Sequence, residues 1–253
     1  MSSNWQPCIV GHRGCAGVAP ENTIPALQTA ANLHLPRIEI DVRFSGDGHV
    51  VLMHDATVDR TTDGTGRVDD LALEELQQLD AAARWAPRFR DTFIPTLDEV
   101  FHQFGNRFHW QVEIKADTPA DCDPLAKAVV ERIRWHGVDR ATVTSTATEA
   151  LRRAAYYAPE VGRALVIGEN VADAVANAEA CGCTTVCVRR SLLDRQTVAM
   201  IRRYGMFIVG WTGNTPEELA ELARAEVDAV STDRPDIALE WMRENRIRFR
   251  EHA

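Results

Sequence analysis

Short apolar runs alternate along the chain with longer stretches in which apolar residues return at helical spacing. The short runs are rich in β-branched residues, which is typical of buried strands. The last five begin at Ala141, Gly162, Thr184, Met206 and Asp228, so they follow one another at intervals of 21 or 22 residues. That interval fits one strand, one helix and two short loops. The pattern therefore predicts a regular alternation of strands and helices.

Eight such units are predicted in the chain of 253 residues. Their strands lie at residues 8–11, 37–42, 110–114, 141–145, 162–167, 184–188, 206–211 and 228–231. This number predicts an α/β fold, a (β/α)8 TIM barrel, with residues 1–253 as a single domain. The alternative is an open doubly wound sheet, but Gly11-His12-Arg13-Gly14 is not the glycine-rich phosphate loop of that fold. The barrel is favoured, and with it a site at the C-terminal ends of the strands.

A longer excursion follows the second strand. Residues 45–48, Ser-Gly-Asp-Gly, predict a tight turn into a short strand at 50–53, which returns His54 to the same end of the barrel. Residues 56–107 then break the alternation with a polar loop and two helices, predicted at 73–79 and from Leu97. Excursions of this length are usually functional. We therefore expect 56–107 to be a small insertion that caps the site.

Two acidic residues, Glu39 and Asp41, stand two positions apart in the second strand. Because successive side chains of a strand point to opposite faces, both carboxylates emerge on one face and the apolar residues pack on the other. An edge strand with a solvated acidic face would explain this pair alone. The next strand repeats the design with Glu113 and Lys115. Buried carboxylates repel one another unless a cation lies between them, so the repeated design favours a metal site.

The predicted ligands are Glu39, Asp41 and Glu113, whose hard oxygen atoms suit one divalent cation, Mg2+ or Ca2+. Counting Arg13 and Lys115 with that cation leaves a small net positive charge. Such a site prefers a monoanion, and a phosphodiester is a monoanion at neutral pH. The charge count therefore favours a small-molecule phosphodiester over a phosphomonoester, which is closer to a dianion. The cation, Arg13 and Lys115 would stabilise negative charge on the phosphoryl oxygens.

Two histidines, His12 and His54, end predicted strands beside the carboxylates. Imidazoles titrate near neutral pH, so one can take a proton from the nucleophile while the other gives one to the leaving alkoxide. The other six histidines are interpreted as ordinary loop residues. Trp211 either offers an aromatic wall to a small alcohol or packs within the barrel. Ser145 and Asp233 also end strands and give weaker signals.

Composition and charge exclude several other classes. Hydrophobic residues at 45% and charged residues at 26% are ordinary for a globular protein. A net charge of -9 argues against a nucleic-acid surface, and the Arg-rich stretch 243–250 is predicted to be a solvated helix end. No apolar run has the length of a membrane span and no export signal is visible, so we expect no stable membrane insertion and a cytoplasmic location.

The six cysteines are too few for a disulfide framework in a chain of this length. Cys181, Cys183 and Cys187 are close in sequence, but they cross from a predicted helix end into a strand and lack a fourth ligand. A structural zinc site is not expected there.

The motifs that contain the candidate residues resemble those of the glycerophosphodiester phosphodiesterase family. In chain order they are Gly11-His12-Arg13-Gly14, Ala19-Pro20-Glu21-Asn22-Thr23, Glu39-Ile40-Asp41-Val42, His54-Asp55, Val58-Asp59-Arg60-Thr61-Thr62, Ile94-Pro95-Thr96-Leu97, Glu113-Ile114-Lys115, Trp211-Thr212-Gly213-Asn214 and Thr232-Asp233-Arg234-Pro235. Some of them are weak alone, but their shared order over nearly the whole chain is highly specific.

The resemblance implies a barrel enzyme that hydrolyses glycerophosphodiesters to sn-glycerol 3-phosphate and an alcohol such as choline or ethanolamine. It assigns the metal ligands to Glu39, Asp41 and Glu113, the acid and base to His12 and His54, and the phosphate contacts to Arg13 and Lys115. One route is attack by the neighbouring glycerol hydroxyl to form a cyclic phosphate that water then opens. Finding no cyclic species in a rapid quench would count against that route.

The chain departs from the family pattern at two places near the expected alcohol site. Thr146 follows Ser145 where the family commonly has Phe, and Gly213 stands where it has Val. The head group therefore stays open. One rival interpretation is a phospholipase D-like enzyme that acts on lipid diesters, which liposome cleavage would reveal. The other is a non-catalytic binding protein, which release of glycerol 3-phosphate sensitive to His12→Ala would exclude.

Overall fold

In residues 5–248, which the computed structural model describes, nine strands form one sheet. The strands are β1 (Cys8–Gly11), β2 (Arg37–Phe44), β3 (Val50–Leu52), β4 (His109–Ile114), β5 (Ala141–Ser145), β6 (Gly162–Ile167), β7 (Thr185–Arg189), β8 (Phe207–Trp211) and β9 (Ala229–Thr232). The helices are α1 (Ile24–Asn32), α2 (Leu73–Gln77), α3 (Leu97–Phe104), α4 (Pro119–Trp135), α5 (Thr148–Tyr157), α6 (Val171–Ala180), α7 (Arg195–Arg202), α8 (Pro216–Ala225) and α9 (Pro235–Glu244).

Every strand of the described sheet except β3 belongs to a closed parallel barrel. The order runs β1, β9, β8, β7, β6, β5, β4, β2, and the pairing of Val10 with Arg37 joins β1 back to β2. β3 pairs antiparallel with β2, with Leu52 opposite Val42. The prediction of a TIM barrel with a hairpin and a small insertion after the second strand is confirmed.

Strand alternation divides the core into two shells. In β1, Ile9 packs outward against the helices, whereas Cys8 and Val10 belong to a small apolar cluster of the barrel strands. In β2 the outward residues are Ile38, Ile40 and Val42. Glu39 and Asp41 therefore point to the barrel interior, where they are only 7% and 1% exposed. An edge strand with a solvated acidic face is excluded.

The segment between β3 and α3 has a small core of its own. That core consists of Val51 of β3 and of the buried residues Met53, Val58, Val68, Leu76, Ala81 and Ile94 of the segment itself. The apolar face of α3 instead belongs to the main core, through Leu97, Val100, Phe101 and Phe104. Within the predicted range 56–107, the part before α3 thus packs on its own core and α3 packs on the barrel.

The sequence offers two prolines near the start of α4, Pro119 and Pro124, and the helix begins at Pro119. The backbone N–H of Thr118 donates to Asp121 Oδ2 at 2.8 Å, and its hydroxyl donates to the same oxygen at 2.7 Å. Proline favours the first helical turn because its missing N–H costs nothing there. Of two prolines with that signal, only Pro119 has the capping partner, and Pro124 lies inside the helix.

The C-terminal helix α9 ends at Glu244, and Arg243 in its last turn is exposed, as the sequence predicts. Residues 249 and 250 of the predicted Arg-rich helix end lie outside the described residues. The three cysteines considered for zinc, Cys181, Cys183 and Cys187, are buried among apolar side chains and form no disulfide.

A pH-dependent loss of stability is expected from His109, at the N-terminal end of β4 and away from the strand ends that carry the candidate site. Its Nε2 lies 2.9 Å from Thr142 Oγ1. Burial, with the charges of Arg37 and Arg140, lowers the pKa of His109 from 6.5 to about 4. The unfolded chain therefore takes up this proton before the folded chain does, and stability should fall as the pH drops from 6.5 towards 4.

We expect His109→Gln to abolish that loss, which is at most roughly 3 kcal/mol at the acid end. The measurement is the free energy of unfolding by urea at pH 7 and pH 4.5 for the two proteins. His49, which is exposed, gives the matched control His49→Gln. Parallel pH dependence of wild type and His109→Gln would show that His109 takes up its proton in the fold as readily as in the unfolded chain, which would contradict the lowered pKa.

Candidate active site

A cavity of about 450 Å3 opens at the C-terminal ends of the barrel strands. Seven of the eight predicted site residues line it, namely His12, Arg13, Glu39, His54, Glu113, Lys115 and Trp211. The eighth, Asp41, is buried beside them, with Oδ1 3.1 Å from Lys115 Nζ. The structure thus brings all eight predicted residues together.

The register of β2 and β4 assembles the carboxylates. Asp41 pairs with Glu113, and Glu39 pairs with Gln111. One oxygen from each of Glu39, Asp41 and Glu113 lies within 4.8 Å of the other two. Glu39 Oε1 and Asp41 Oδ1 are buried and accept no hydrogen bond. Asp41 Oδ1 has the ammonium of Lys115 at 3.1 Å, whereas Glu39 Oε1 has no partner among the described residues. A buried oxygen without a partner is costly, so this set of hard donors fits a divalent cation and could hold one.

The surroundings shift the pKa values of Glu39 and Asp41 in opposite directions. Burial and the negative charge of Asp41 raise the pKa of Glu39 to about 8. Burial opposes the ionisation of Asp41 as well, but the nearby charges of Lys115 and Arg13 outweigh it and hold the pKa of Asp41 well below its usual range. Without a cation in the cluster, the ionised form of Glu39 is therefore disfavoured.

Arg13 sits in a tight turn after β1, with a left-handed φ of 50°. This turn lets its backbone N–H donate to Glu39 Oε2 at 2.9 Å. Its guanidinium donates to Glu21 Oε1 at 2.9 Å, and Nε lies 3.4 Å from Asp41 Oδ2. Glu21 also accepts from Arg60 of the inserted segment. The sequence-based charge count omitted Glu21 and Arg60, so part of the positive charge of Arg13 is already neutralised.

Asn22 has a role that the sequence did not indicate. Its Nδ2 donates to Asp41 Oδ2 at 2.8 Å, and its Oδ1 accepts the backbone N–H of Asp41 at 3.1 Å. The residue that caps α1 is Thr23, whose hydroxyl accepts from Ala26 N–H. Asn22 instead orients one of the carboxylates.

His12 is held by two loops from the far end of the chain. Its Nδ1 lies 2.6 Å from Asp233 Oδ1, and Asn214 Nδ2 donates to Asp233 Oδ2 at 2.6 Å. His12 Nε2 lies 3.8 Å from Glu39 Oε2. Burial lowers the pKa of His12, but the hydrogen bond with Asp233 and the charge of Glu39 outweigh it, so the pKa is raised.

His54 has a similar partner and the opposite shift. Its Nδ1 lies 2.6 Å from Asp55 Oδ1, and Arg60 binds the other oxygen of Asp55. Burial lowers the pKa of His54, and the positive charges of Lys115 and Arg13 add to this effect. Asp41 and Asp55 oppose the shift without cancelling it. The two imidazoles of the cavity thus differ in their tendency to hold a proton.

The model of the glycerophosphoryl diester phosphodiesterase family matches residues 12–237. The chain belongs to the glycerophosphodiester phosphodiesterase family. The glycerophosphodiester phosphodiesterase of Caldanaerobacter subterraneus subsp. tengcongensis is 31% identical to it over 239 residues, which cover 93% of this chain and 97% of the relative. The chain is therefore an enzyme of this family, a phosphoric diester hydrolase.

Solved structures support the same family. A phosphodiesterase of Oleispira antarctica in complex with the product sn-glycerol-3-phosphate has a TM-score of 0.87 and 30% identity, and the match covers 94% of this chain and 97% of that one. A glycerophosphodiester phosphodiesterase of Agrobacterium tumefaciens has a TM-score of 0.78 and 28% identity, and the match covers 92% of this chain and 98% of that one.

No helix among residues 5–248 is long and apolar enough to cross a bilayer.

Six residues that hold the site together were not assigned from the sequence of this family member, namely Glu21, Asn22, Asp55, Arg60, Asn214 and Asp233. All six stand inside the motifs that carry the family resemblance. Motif membership was therefore the available signal. The motifs do not show which of these residues contact one another, because contacts such as that between His12 and Asp233 join residues 221 positions apart.

Proposed function

We propose that the chain hydrolyses glycerophosphodiesters to sn-glycerol 3-phosphate and an alcohol, with one divalent cation held by Glu39, Asp41 and Glu113. The observation that carries this proposal is the set of three buried carboxylates within 4.8 Å of one another, two of whose oxygens accept no hydrogen bond. When bound, Mg2+ or Ca2+ would supply positive charge to the phosphoryl oxygens. The product bound to the Oleispira antarctica relative supports sn-glycerol 3-phosphate as a product here.

Arg13 and Lys115 are proposed to bind the phosphoryl oxygens. Both line the cavity next to the carboxylates, and each has a carboxylate partner that fixes its position. A preorganised cation stabilises charge that develops in the transition state better than a mobile one. Trp211 lines the same cavity and is proposed to contact the organic part of the substrate.

The opposite pKa shifts suggest which histidine gives the proton and which takes it. His12, whose pKa is raised, is proposed to be the acid that protonates the leaving alkoxide. His54, whose pKa is lowered, is proposed to be the base that takes the proton of the nucleophile. Each Nδ1 faces a carboxylate and so carries a proton, which leaves Nε2 for the substrate.

The capping role of residues 56–107 stays a prediction. No residue of this range is among the described residues that line the cavity. Its link to the site is Arg60, which binds Glu21 and Asp55. A cytoplasmic location likewise stays a prediction, with which six buried and unpaired cysteines are compatible.

Removal of divalent cations tests the proposed function directly. We expect EDTA to lower the hydrolysis of glycerophosphoethanolamine by roughly 100-fold or more, because the carboxylate cluster then lacks its counter-ion. Readdition of Mg2+ or Ca2+ should restore the release of sn-glycerol 3-phosphate. Full activity in protein shown to be metal-free by elemental analysis would contradict the role of the cluster, and cleavage of liposomes in the same assay would reveal action on lipid diesters.

A further inference from the structure

The side of the cavity across from the carboxylates carries a positive side chain that the mechanism does not use. Arg189 ends β7, and β7 stands four strands away from β2 in either direction around the barrel. The residue lines the cavity. A diester whose phosphoryl group lies at Glu39 and Lys115 therefore faces Arg189 across the mouth.

The guanidinium of Arg189 lies over an aromatic ring of the cavity. Its Cζ lies 5.5 Å from the ring centroid of Trp211, its neighbour in the register of β7 and β8. On the other side, its Nη2 lies 3.3 Å from the position that a Cβ would take at Gly168. A larger residue at 168 would crowd the guanidinium, so glycine leaves it room. Stacking on an aromatic face fixes an arginine without using its N–H groups.

These side-chain N–H groups have no partner among residues 5–248, since the guanidinium of Arg189 takes part in no hydrogen bond and no ion pair there. The other two cations of the cavity are committed, Arg13 to Glu21 and Lys115 to Glu113. The adjacent residue, Arg190, turns the other way and binds Glu218 of α8. Arg189 thus presents a planar set of free donors, the geometry that binds carboxylate or phosphate with two hydrogen bonds.

Two further polar atoms of cavity residues also lack partners. Thr144 Oγ1 and Trp211 Nε1 are buried and make no hydrogen bond with the described residues. Both residues line the cavity with Arg189. The indole N–H can only donate, and the hydroxyl can donate as well. Together with the guanidinium they favour a ligand group that is rich in acceptor oxygens.

We propose that Arg189 binds an anionic group on the alcohol arm of the diester, so that head groups with a carboxylate are preferred over purely cationic ones. The preference concerns substrates of the proposed function and rests on it. The ammonium of ethanolamine or choline would meet a like charge at Arg189, whereas a carboxylate would form a charge-assisted bidentate pair. The glycerol arm has only hydroxyls and gains less from that charge.

Glycerophosphoserine and glycerophosphoethanolamine provide the test, because the two diesters differ by one carboxylate. We expect the wild-type kcat/KM to be higher for the serine diester by roughly tenfold, the value of one charged hydrogen-bonded contact. Arg189→Met should bring the ratio close to one, chiefly by raising KM for the serine diester, and Arg189→Lys should keep part of the preference. Arg203, which is exposed and outside the cavity, gives the control Arg203→Met, whose ratio should match wild type.

The possible results separate this proposal from the proposed function. Equal loss on both diesters in Arg189→Met would overturn the proposal, because the residue would then bind a part that both substrates share. An unchanged ratio in Arg189→Met, or no preference in wild type, would overturn it too, while hydrolysis of either diester would leave the proposed function standing. If wild type with added cation hydrolysed neither diester, the proposed function itself would fail.

Discussion

Replacing either cavity histidine by asparagine should lower kcat for glycerophosphoethanolamine by about 10²–10⁴-fold, the usual contribution of a positioned acid or base. The two losses should differ in how they respond to the leaving group. If His12 protonates the alkoxide, an aryl ester of glycerol 3-phosphate should recover most of the loss in His12→Asn, because a phenolate leaves without a proton. The same ester should not rescue His54→Asn, because the nucleophile still has to lose its proton.

The measurement is kcat for both esters in wild type and both variants, at saturating cation. His49→Asn is the matched control, since His49 is exposed and outside the cavity. Rescue of His54→Asn with none for His12→Asn would reverse the assignment of acid and base. Equal rescue of both would mean that neither imidazole has a distinct proton-transfer role.

The barrel could be predicted from the sequence because its signals are local. Each strand is a short β-branched run, and the regular interval between runs fixes the repeat of strand and helix. The inward direction of Glu39 and Asp41 follows from strand alternation, which needs no knowledge of the partner strands. That Glu113 joins them was predictable because consecutive strands of a barrel are neighbours, and the register pairs it with Asp41.

The contacts that orient these groups could not be predicted in the same way. His12 and Asp233 come from opposite ends of the chain and meet only because β1 pairs with β9 when the barrel closes. Asn22 carries a capping signal in sequence, and the left-handed turn before α1 turns its amide to Asp41 instead. The local sequence indicates Asn22 as a possible helix cap, but in the fold its neighbour Thr23 caps α1 and Asn22 binds Asp41.

Arg189 and Arg190 show that the sequence does not distinguish an arginine of the cavity from a structural one. The two residues are identical and adjacent in sequence, and either one could be a surface arginine. The last position of β7 directs Arg189 to the cavity and Trp211, whereas Arg190 begins a short 3₁₀ helix and reaches Glu218. Only the end point of the strand distinguishes a cavity cation from a structural one.

Glu39→Gln should change activity and stability in opposite directions. Loss of one carboxylate from the cluster should lower kcat/KM by about 10³-fold or more. In EDTA at pH 7, the same change should raise the free energy of unfolding by about 1–3 kcal/mol, because the folded wild type has to take up at Glu39 a proton that the unfolded chain has released. The amide oxygen can still accept the N–H of Arg13, so the turn after β1 is kept. Urea unfolding of both proteins measures the difference.

The sign of the pH dependence follows from the raised pKa of Glu39, which is about 8 in the fold against 4.5 for an ordinary glutamate. Between these values the folded wild type holds a proton that the unfolded chain has lost, so its stability falls as the pH rises. Glu39→Gln lacks this proton, and its advantage in EDTA should grow over the same range. A constant or shrinking advantage would mean that Glu39 is ionised in the fold.

Asp41→Asn is the control with the same change of charge and the opposite expected result. Lys115, Arg13 and Asn22 all stabilise the Asp41 carboxylate, so its replacement should lower the stability of the cation-free protein. Saturating Mg2+ or Ca2+ should reverse the order of wild type and Glu39→Gln, since wild type gains about 2.7 kcal/mol at a cation concentration 100 times its Kd. If the cation stabilised both proteins equally, it would bind at a site that does not include Glu39. The raised pKa of Glu39 would then have no connection with catalysis.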